Sequence, residues 1–283
     1  MSANTFQDNP YFIDPSNAAE MARLILQDRL FTTAMGGVFP HPLAAGARVL
    51  DVGCGPGGWL LDLADQYLEA GITAVGIDLD ETMISYARGQ AQASDLENVT
   101  FEILDLRTMP WPFPDASFDV VNARFLAFFP PSFWPKLLQE YVRLSKPGGV
   151  IRLTETEATV SNSPAVEQEH EWFFQALWKS GQSFSANGHR LTITAMLAPL
   201  LRQAGLHNVQ TQAYGIDWSY GTQAHAGMCE DSSIVFQLVE PFYLNVGVAT
   251  PDELERTSAQ MRLDVQQPTF AAMHYLLSAW GTK

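Results

Sequence analysis

Cysteine is nearly absent: the 283 residues contain only Cys54 and Cys229. Two thiols cannot build a disulfide framework, and neither sits at zinc-ligand spacing from a second Cys or a His pair. Both read as small buried residues. Basic residues are scarce as well, with 16 Lys and Arg against 31 Asp and Glu and a formal net charge of −15. A polyphosphate partner needs a basic face, so nucleic acid is excluded, and an anionic membrane surface is disfavoured for the same reason. No stretch approaches 18 consecutive apolar residues, so no bilayer span and no membrane insertion are expected. The opening segment MSANTFQDNPYFIDPSN lacks the basic start and apolar run of a signal peptide, which gives the expectation of a cytoplasmic protein. Internal repeats and low-complexity tracts are missing. What is present is a 47% apolar, 17% charged chain long enough to bury a large core, which rules out a disordered or coiled-coil protein.

The apolar residues are grouped in short runs. Arg48 to Val52, Ala74 to Leu79, Val99 to Leu104 and Phe118 to Asn122 read as buried strands, and Val150 to Thr154 follows the Lys146-Pro147-Gly148-Gly149 turn. Helix-like stretches lie between them at Trp59 to Ala70, Glu81 to Ala93 and Ser132 to Leu144. That alternation indicates β-α-β units, and right-handed crossovers make the sheet parallel and doubly wound, an α/β architecture. Before it, Asp14-Pro15-Ser16 reads as a helix start with Ser16 as N-cap, and Gly36-Gly37 as the stop. After it come a helix from Ser163-Pro164 to about Ser180 and another over Thr192 to Ala204. A sixth strand follows around Val209 to Tyr214, then a helical block from about Ala224 to Gln266 and a closing strand over Phe270 to Trp280. The expected division is an N-terminal helical segment, 1–40, and one domain, 41–283, with insertions near 160–190 and 223–266. These insertions either form a lid at the carboxyl ends of the strands or cover an edge of the sheet.

The most informative stretch is Val49-Leu50-Asp51-Val52-Gly53-Cys54-Gly55-Pro56-Gly57-Gly58, a strand entering a glycine-rich turn before a helix. Glycine allows a ligand to approach the backbone here. Gly53, Gly55 and Gly58 satisfy G-x-G-x-x-G, so a dinucleotide must be weighed. Charge decides against it. A pyrophosphate needs free N–H donors and no anion nearby, whereas Pro56 removes a donor and Asp51 adds a carboxylate. A sulfonium cofactor carrying an ammonium group fits better. Asp78 ends the second strand, placed to accept from both ribose hydroxyls, a role common to either cofactor. Asp105 ends the third strand, facing an adenine amino group or else capping a turn. Asn122 ends the fourth strand across the switch point, and Arg124 either reaches the cofactor carboxylate or makes an ordinary ion pair.

These residues resemble the class I S-adenosylmethionine-dependent methyltransferases. The match comprises Val49 to Gly57, Asp78, the Asp105 strand end, Asp115-Ala116-Ser117-Phe118-Asp119-Val120-Val121 and Leu144-Ser145-Lys146-Pro147-Gly148-Gly149, and it covers about residues 45 to 155. It is nearest to the small-molecule branch that includes the quinone-biosynthesis C-methyltransferases. The resemblance implies a Rossmann-like seven-stranded sheet with its last strand antiparallel, and S-adenosyl-L-methionine as cofactor with S-adenosyl-L-homocysteine as product. It also implies cofactor contacts from Gly53, Cys54, Gly55, Asp78, Leu79, Met83, Asp105, Leu106, Asn122 and Arg124. The Tyr11-Phe12-Ile13-Asp14 and Ala19-Glu20-Met21-Ala22-Arg23-Leu24 segments are similar to bacterial natural-product methyltransferases of the teleocidin-pathway kind. That similarity implies an N-terminal helix that brings Tyr11 to the active site and helps form a homo-oligomer.

In-line methyl transfer needs positioning above all, and a general base only where the acceptor must lose a proton. Tyr11, His170 and Glu155 are the catalytic candidates, with His189 and Glu157 behind them. For all but Tyr11 a quieter role stands beside the catalytic one: a cap for Glu155 and Glu157, a solvated helix face for His170, a turn for His189. Aromatic density at Phe125, Phe128, Phe129, Trp172, Phe173, Phe174, Trp178, Trp218, Phe236, Phe242 and Tyr243 points to core or to a bulky apolar acceptor. The resulting expectation is methylation, on carbon or oxygen, of a lipophilic terpenoid, polyketide or quinone-like metabolite. A non-catalytic binder of the same cofactor and a nicotinamide-dependent oxidoreductase are the alternatives; the second lacks a Tyr-x-x-x-Lys pair.

Overall fold

The computed structural model describes Tyr11, Ile13, 18–39 and 42–283; the expected helix start at Asp14 to Ser16 lies outside these residues. Helix α1 spans Ala18–Ala34. Strand β1 (Arg48–Val52) leads through the glycine loop to α2 (Gly58–Gln66), then β2 (Thr73–Asp78), α3 (Glu81–Ala93), β3 (Val99–Ile103) and β4 (Phe118–Arg124). Then come α4 (Trp134–Leu144), β5 (Ser145–Thr156), a two-residue β6 (Val160–Ser161), α5 (Pro164–Lys179), α6 (Ile193–Gln203) and β7 (His207–Asp217). The chain ends with α7 (His225–Val246), α8 (Pro251–Asp264) and β8 (Ala272–Thr282).

The sheet runs β3-β2-β1-β4-β5-β8, with β7 on the far edge of β8. Its first five strands are parallel and β8 is antiparallel to both of its neighbours. The expected seven strands are therefore present. An eighth is added because β6 pairs Val160 with Met273 and prolongs the edge of β5. The Lys146 to Gly149 turn is drawn into β5, at the cost of a register shift against β4 between Phe118 and Val120.

Side chains alternate across a strand, and the sequence uses that alternation to fill two cores. Val49, Ala74 and Val120 face a cluster with Trp59, Leu63, Ile84 and Phe101 from α2, α3 and β3. Leu50, Val75 and Val121 face the opposite cluster, with Trp134, Leu137 and Tyr141 of α4 and the later helices. Burial on both faces is why these strands read as continuous apolar runs.

The later helices start where short polar side chains can satisfy their free N–H groups. Ser163 accepts from Val166 N at 3.2 Å ahead of Pro164. Thr250 and Glu253 form a reciprocal capping box ahead of Pro251. The expected single helical block is thereby two helices, because Gly247 (φ 68°) ends α7 and Thr250 begins α8. Helix α5 packs on α7 and α8, and α1 packs on α7 and α2; residues of α1, α5 and α7 roof a cavity that Asp51, Asp78, Arg124 and Glu155 line from the strand ends. Among the described residues no helix is long and apolar enough to cross a membrane.

Leu137 of α4 is fully buried against the sheet. Leu137→Ala is expected to cost about 2–5 kcal/mol, read as a lower urea midpoint at unchanged slope.

Candidate active site

The strand β1 stops because three glycines take positive φ in succession: Gly53 at 68°, Gly55 at 52° and Gly57 at 81°. Gly57 has a packing reason as well, since a Cβ there would lie 2.8 Å from the Phe101 ring. Gly55 differs. A Cβ on it would meet nothing closer than Leu24 at 4.0 Å, so the loop leaves an open cradle at this position. Asp78, at the end of β2, is tied to that cradle: its Oδ2 accepts from Gly55 N at 2.9 Å and its Oδ1 from Asp80 N at 3.0 Å. Burial raises its pKa above the usual carboxylate range, against the pull of these amides. Asp80 in turn caps α3 by accepting from Met83 N at 2.8 Å.

One cavity of about 470 Å³ opens from this cradle, within the range of small-molecule sites. At the loop end it is lined by Gly53, Cys54, Gly55, Asp78, Leu79, Met83, Asp105, Leu106 and Arg124. Asp105 has two roles in the structure. It lines the cavity, and it orders its own turn by accepting from Arg107 N at 2.9 Å and pairing with the Arg107 side chain at 2.8 Å. The guanidinium keeps its carboxyl below the usual range. Asp51 is almost wholly buried and its pKa is pushed up to about 6, chiefly by burial; Asn122 Nδ2 donates to it at 2.8 Å.

The other end lies under the helical roof. Phe31, Phe125, Phe128, Phe129, Phe173, Phe174, Phe236 and Tyr243 line it, with Leu126, Leu177, Met228, Val235 and Val239. Of the aromatic residues singled out in the sequence, Trp172, Trp218 and Phe242 are core, and Trp178 is partly exposed outside the cavity. Polar groups interrupt this apolar wall at a few points. Glu155, near the end of β5, is only 2% exposed; its Oε1 accepts from Leu126 N at 2.6 Å, while Oε2 has no hydrogen-bond partner among the described residues. Burial raises its pKa to about 8, so the carboxyl is protonated at neutral pH. His170 on α5 donates from Nδ1 to Val166 O at 2.9 Å. His274 on β8 bonds Thr156 at 2.6 Å through Nε2 and Thr159 at 3.0 Å through Nδ1. Glu157 is occupied in holding the start of α6, accepting from Leu191 N at 2.9 Å and Thr194 Oγ1 at 2.9 Å.

Tyr11 donates to Glu20 of α1 and stacks edge-on against Phe128. Arg23 bonds Glu20 at 2.7 Å and Asp231 of α7 at 3.1 Å, so a buried ion cluster joins the N-terminal helix to the roof.

Three comparisons bear on this arrangement. Residues 49–149 match the family described as a methyltransferase domain. A demethylmenaquinone methyltransferase of Listeria welshimeri is 31% identical over 145 residues, 51% of this chain and 59% of that protein. The 27-O-demethylrifamycin SV methyltransferase of Amycolatopsis mediterranei is 35% identical over 144 residues, 50% of this chain and 48% of that protein. The match thus spans about half of the curated relatives' length. In fold the likeness runs further: a Bacillus subtilis protein has a TM-score of 0.52 at 18% identity over 92% of this chain and 98% of its own. A Haemonchus contortus phosphoethanolamine N-methyltransferase, solved with S-adenosylhomocysteine, has a TM-score of 0.50 at 17% identity over 92% of this chain and 52% of that one.

The residues present fit S-adenosylmethionine: an open glycine cradle, the Asp78 carboxylate tied to it, and a loop end where Asp28, Asp51, Asp78, Asp80 and Asp105 outnumber Arg107 and Arg124. One expected contact, Asn122, is not found at the cavity, and for Arg124 the ion-pair alternative is present. Asn122 is fully buried behind Asp51 and does not line the cavity, because Asp51 needs its amide as a hydrogen-bond donor. Arg124 reaches the cavity but is turned to α1, where it donates to Asp28 at 2.7 Å and Thr32 at 3.3 Å. Its charge is committed to an ion pair. His189 is exposed, 3.3 Å from Glu171 and away from the cavity. Tyr11, His170 and Glu155 all line it. Arg23, Asp28, Asp231 and His274 had no motif to mark them, since they meet only when α1, α7 and β8 close over the sheet.

Two measurements check this electrostatics. Arg23→Met leaves Glu20 and Asp231 buried without their cation and is expected to destabilise the fold by about 3–5 kcal/mol in urea titration. Glu155 binds its proton more tightly folded than unfolded, so between its ordinary pKa and about 8 stability falls as pH rises. The slope from this one group is about 1.4 kcal/mol per pH unit at most, and Glu155→Gln should remove it from a stability-against-pH curve.

Proposed function

We propose that the chain transfers a methyl group from S-adenosylmethionine to a small lipophilic acceptor, a terpenoid, polyketide or quinone-like molecule. The observation that carries this reading is the continuity of one cavity, polar at the glycine loop and aromatic beneath the roof. The two named relatives, which act on demethylmenaquinone and on a demethylated rifamycin, support an acceptor of that kind.

The Gly53–Gly55 backbone and Asp78 would hold the adenosine ribose, and Leu79, Met83 and Leu106 would flank the base. The bound cofactor supplies a methyl group on a cationic sulfur, whose charge is lost on transfer. The protein's own contribution is alignment and water exclusion, worth up to about 7–11 kcal/mol for well-oriented reactants. The carboxylates beside the loop favour the cationic cofactor over the neutral product. The ring of phenylalanines keeps water from the acceptor.

Calorimetric titration of S-adenosylhomocysteine tests the adenosine site. Micromolar binding is expected, with at least a tenfold loss in Asp78→Ala; binding of NADH in its place would overturn the assignment. Incubation with methyl-labelled S-adenosylmethionine and a panel of apolar and polar acceptors then tests the reaction, with label expected on the apolar members. Cofactor binding with no turnover on any acceptor would leave a binding protein instead.

A further inference from the structure

Resting on that reading, we propose that His170 is the general base of the site, taking through Nε2 the proton of a phenolic or enolic hydroxyl on an apolar acceptor. The proposal assigns both the base and the class of atom methylated.

The argument begins with hydrogen. A backbone carbonyl can only accept, so the 2.9 Å contact between His170 Nδ1 and Val166 O places the ring proton on Nδ1. The Nε2 of the neutral ring is then a lone pair, and among the described residues it has no hydrogen-bond partner. His170 lines the cavity, its ring fixed by the edge of Phe236 at 5.4 Å and by Phe174 at 6.1 Å. Burial holds its pKa below the usual imidazole value, so it is neutral and able to accept at neutral pH.

Among the described residues no other ionisable group at this end can do the same. His274 has both ring nitrogens engaged by Thr156 and Thr159. Tyr11 gives its proton to a hydrogen bond with Glu20 and is held far above its usual pKa by burial. Glu155 already carries a proton at neutral pH, and Glu157 is bonded to Leu191, Thr192 and Thr194. Asp231 is paired with Arg23. The charged group that acts on His170 itself is Glu167 from its own helix, which favours the proton; His170 in turn helps to lower His274 of β8, and α7 offers it the uncharged Phe236.

In the step, the acceptor's O–H bond breaks with its electron pair kept on oxygen, and the proton forms the Nε2–H bond of an imidazolium. The oxygen pair forms the new bond to the methyl carbon as the carbon–sulfur pair returns to sulfur. The imidazolium gives its proton to water afterwards. General-base assistance of this kind is worth roughly 10²–10⁴ in rate.

Two experiments on the full chain decide it. Long-range nitrogen–proton NMR, with His170→Asn to assign the signal, should show the neutral ring protonated on Nδ1 at neutral pH and titrating below the ordinary histidine range. A ring protonated on Nε2 would overturn the assignment. The second compares methyl transfer to 1-naphthol, which is neutral at that pH, with transfer to 4-nitro-1-naphthol, which is already ionised. His170→Asn should lower kcat for 1-naphthol by about 10²-fold or more, with the acid limb of the pH profile lost, and leave the nitro compound within a few-fold. His170→Gln repeats the comparison should the Asn variant unfold. Equal losses on both naphthols, or none, would sink the base. A chain that binds S-adenosylhomocysteine but methylates neither naphthol would sink the hydroxyl class while the methyltransferase reading stands.

Discussion

A guanidinium removed from water must be met by anions, and in this protein that requirement closes the site. Arg23 is buried on α1, and its partners come from two elements: Glu20 on the same helix and Asp231 on α7. Parting α1 from α7 would strand a charge on each side, which costs far more than an exposed pair would. Tyr11 joins the same cluster through Glu20 and lays its ring against Phe128. The acceptor end of the cavity thus has a roof whose position is fixed electrostatically, while its walls are apolar and adaptable. At the loop end, Asp28 on the same helix holds Arg124. One helix therefore spans both halves of the site.

The acid excess of the chain acquires a local meaning from this arrangement. Asp51, Asp78 and Glu155 are all raised by burial, and all line one cavity. Their effects differ with depth and partners. Asp78 keeps two amide donors and stays suited to accept from hydroxyls. Glu155, whose Oε2 has no hydrogen-bond partner among the described residues, is held higher, to about 8, and presents a neutral group to the apolar end of the cavity. A carboxylate count alone cannot separate these roles, because they follow from how much solvent each group loses.

Much of the cofactor end was legible in the chain. A strand running into Gly53-Cys54-Gly55-Pro56-Gly57 has few structural solutions, since positive φ at successive glycines forces the turn that the structure contains. Asp78 and Asp105 were visible because strand ends in a parallel sheet are placed by the local β-α-β pattern. The same logic erred at Asn122: β4 runs on to Arg124, so Asn122 lies inside the strand opposite Asp51 and donates to it. For Arg124 the sequence left two roles open, and the ion pair it makes was not readable locally, since its partner Asp28 is 96 residues away.

Local patterning, then, determined the sheet, its crossovers and the glycine cradle, because these depend on side-chain period and backbone freedom over a few residues. The tertiary structure alone decided the acceptor end. Which histidine keeps an open nitrogen, which glutamate keeps its proton and which arginine is spent on an ion pair depend on burial and on partners from α1, α5, α7 and β8. Solvent loss and long-range pairing are properties of the assembled chain, and no short stretch of sequence carries them.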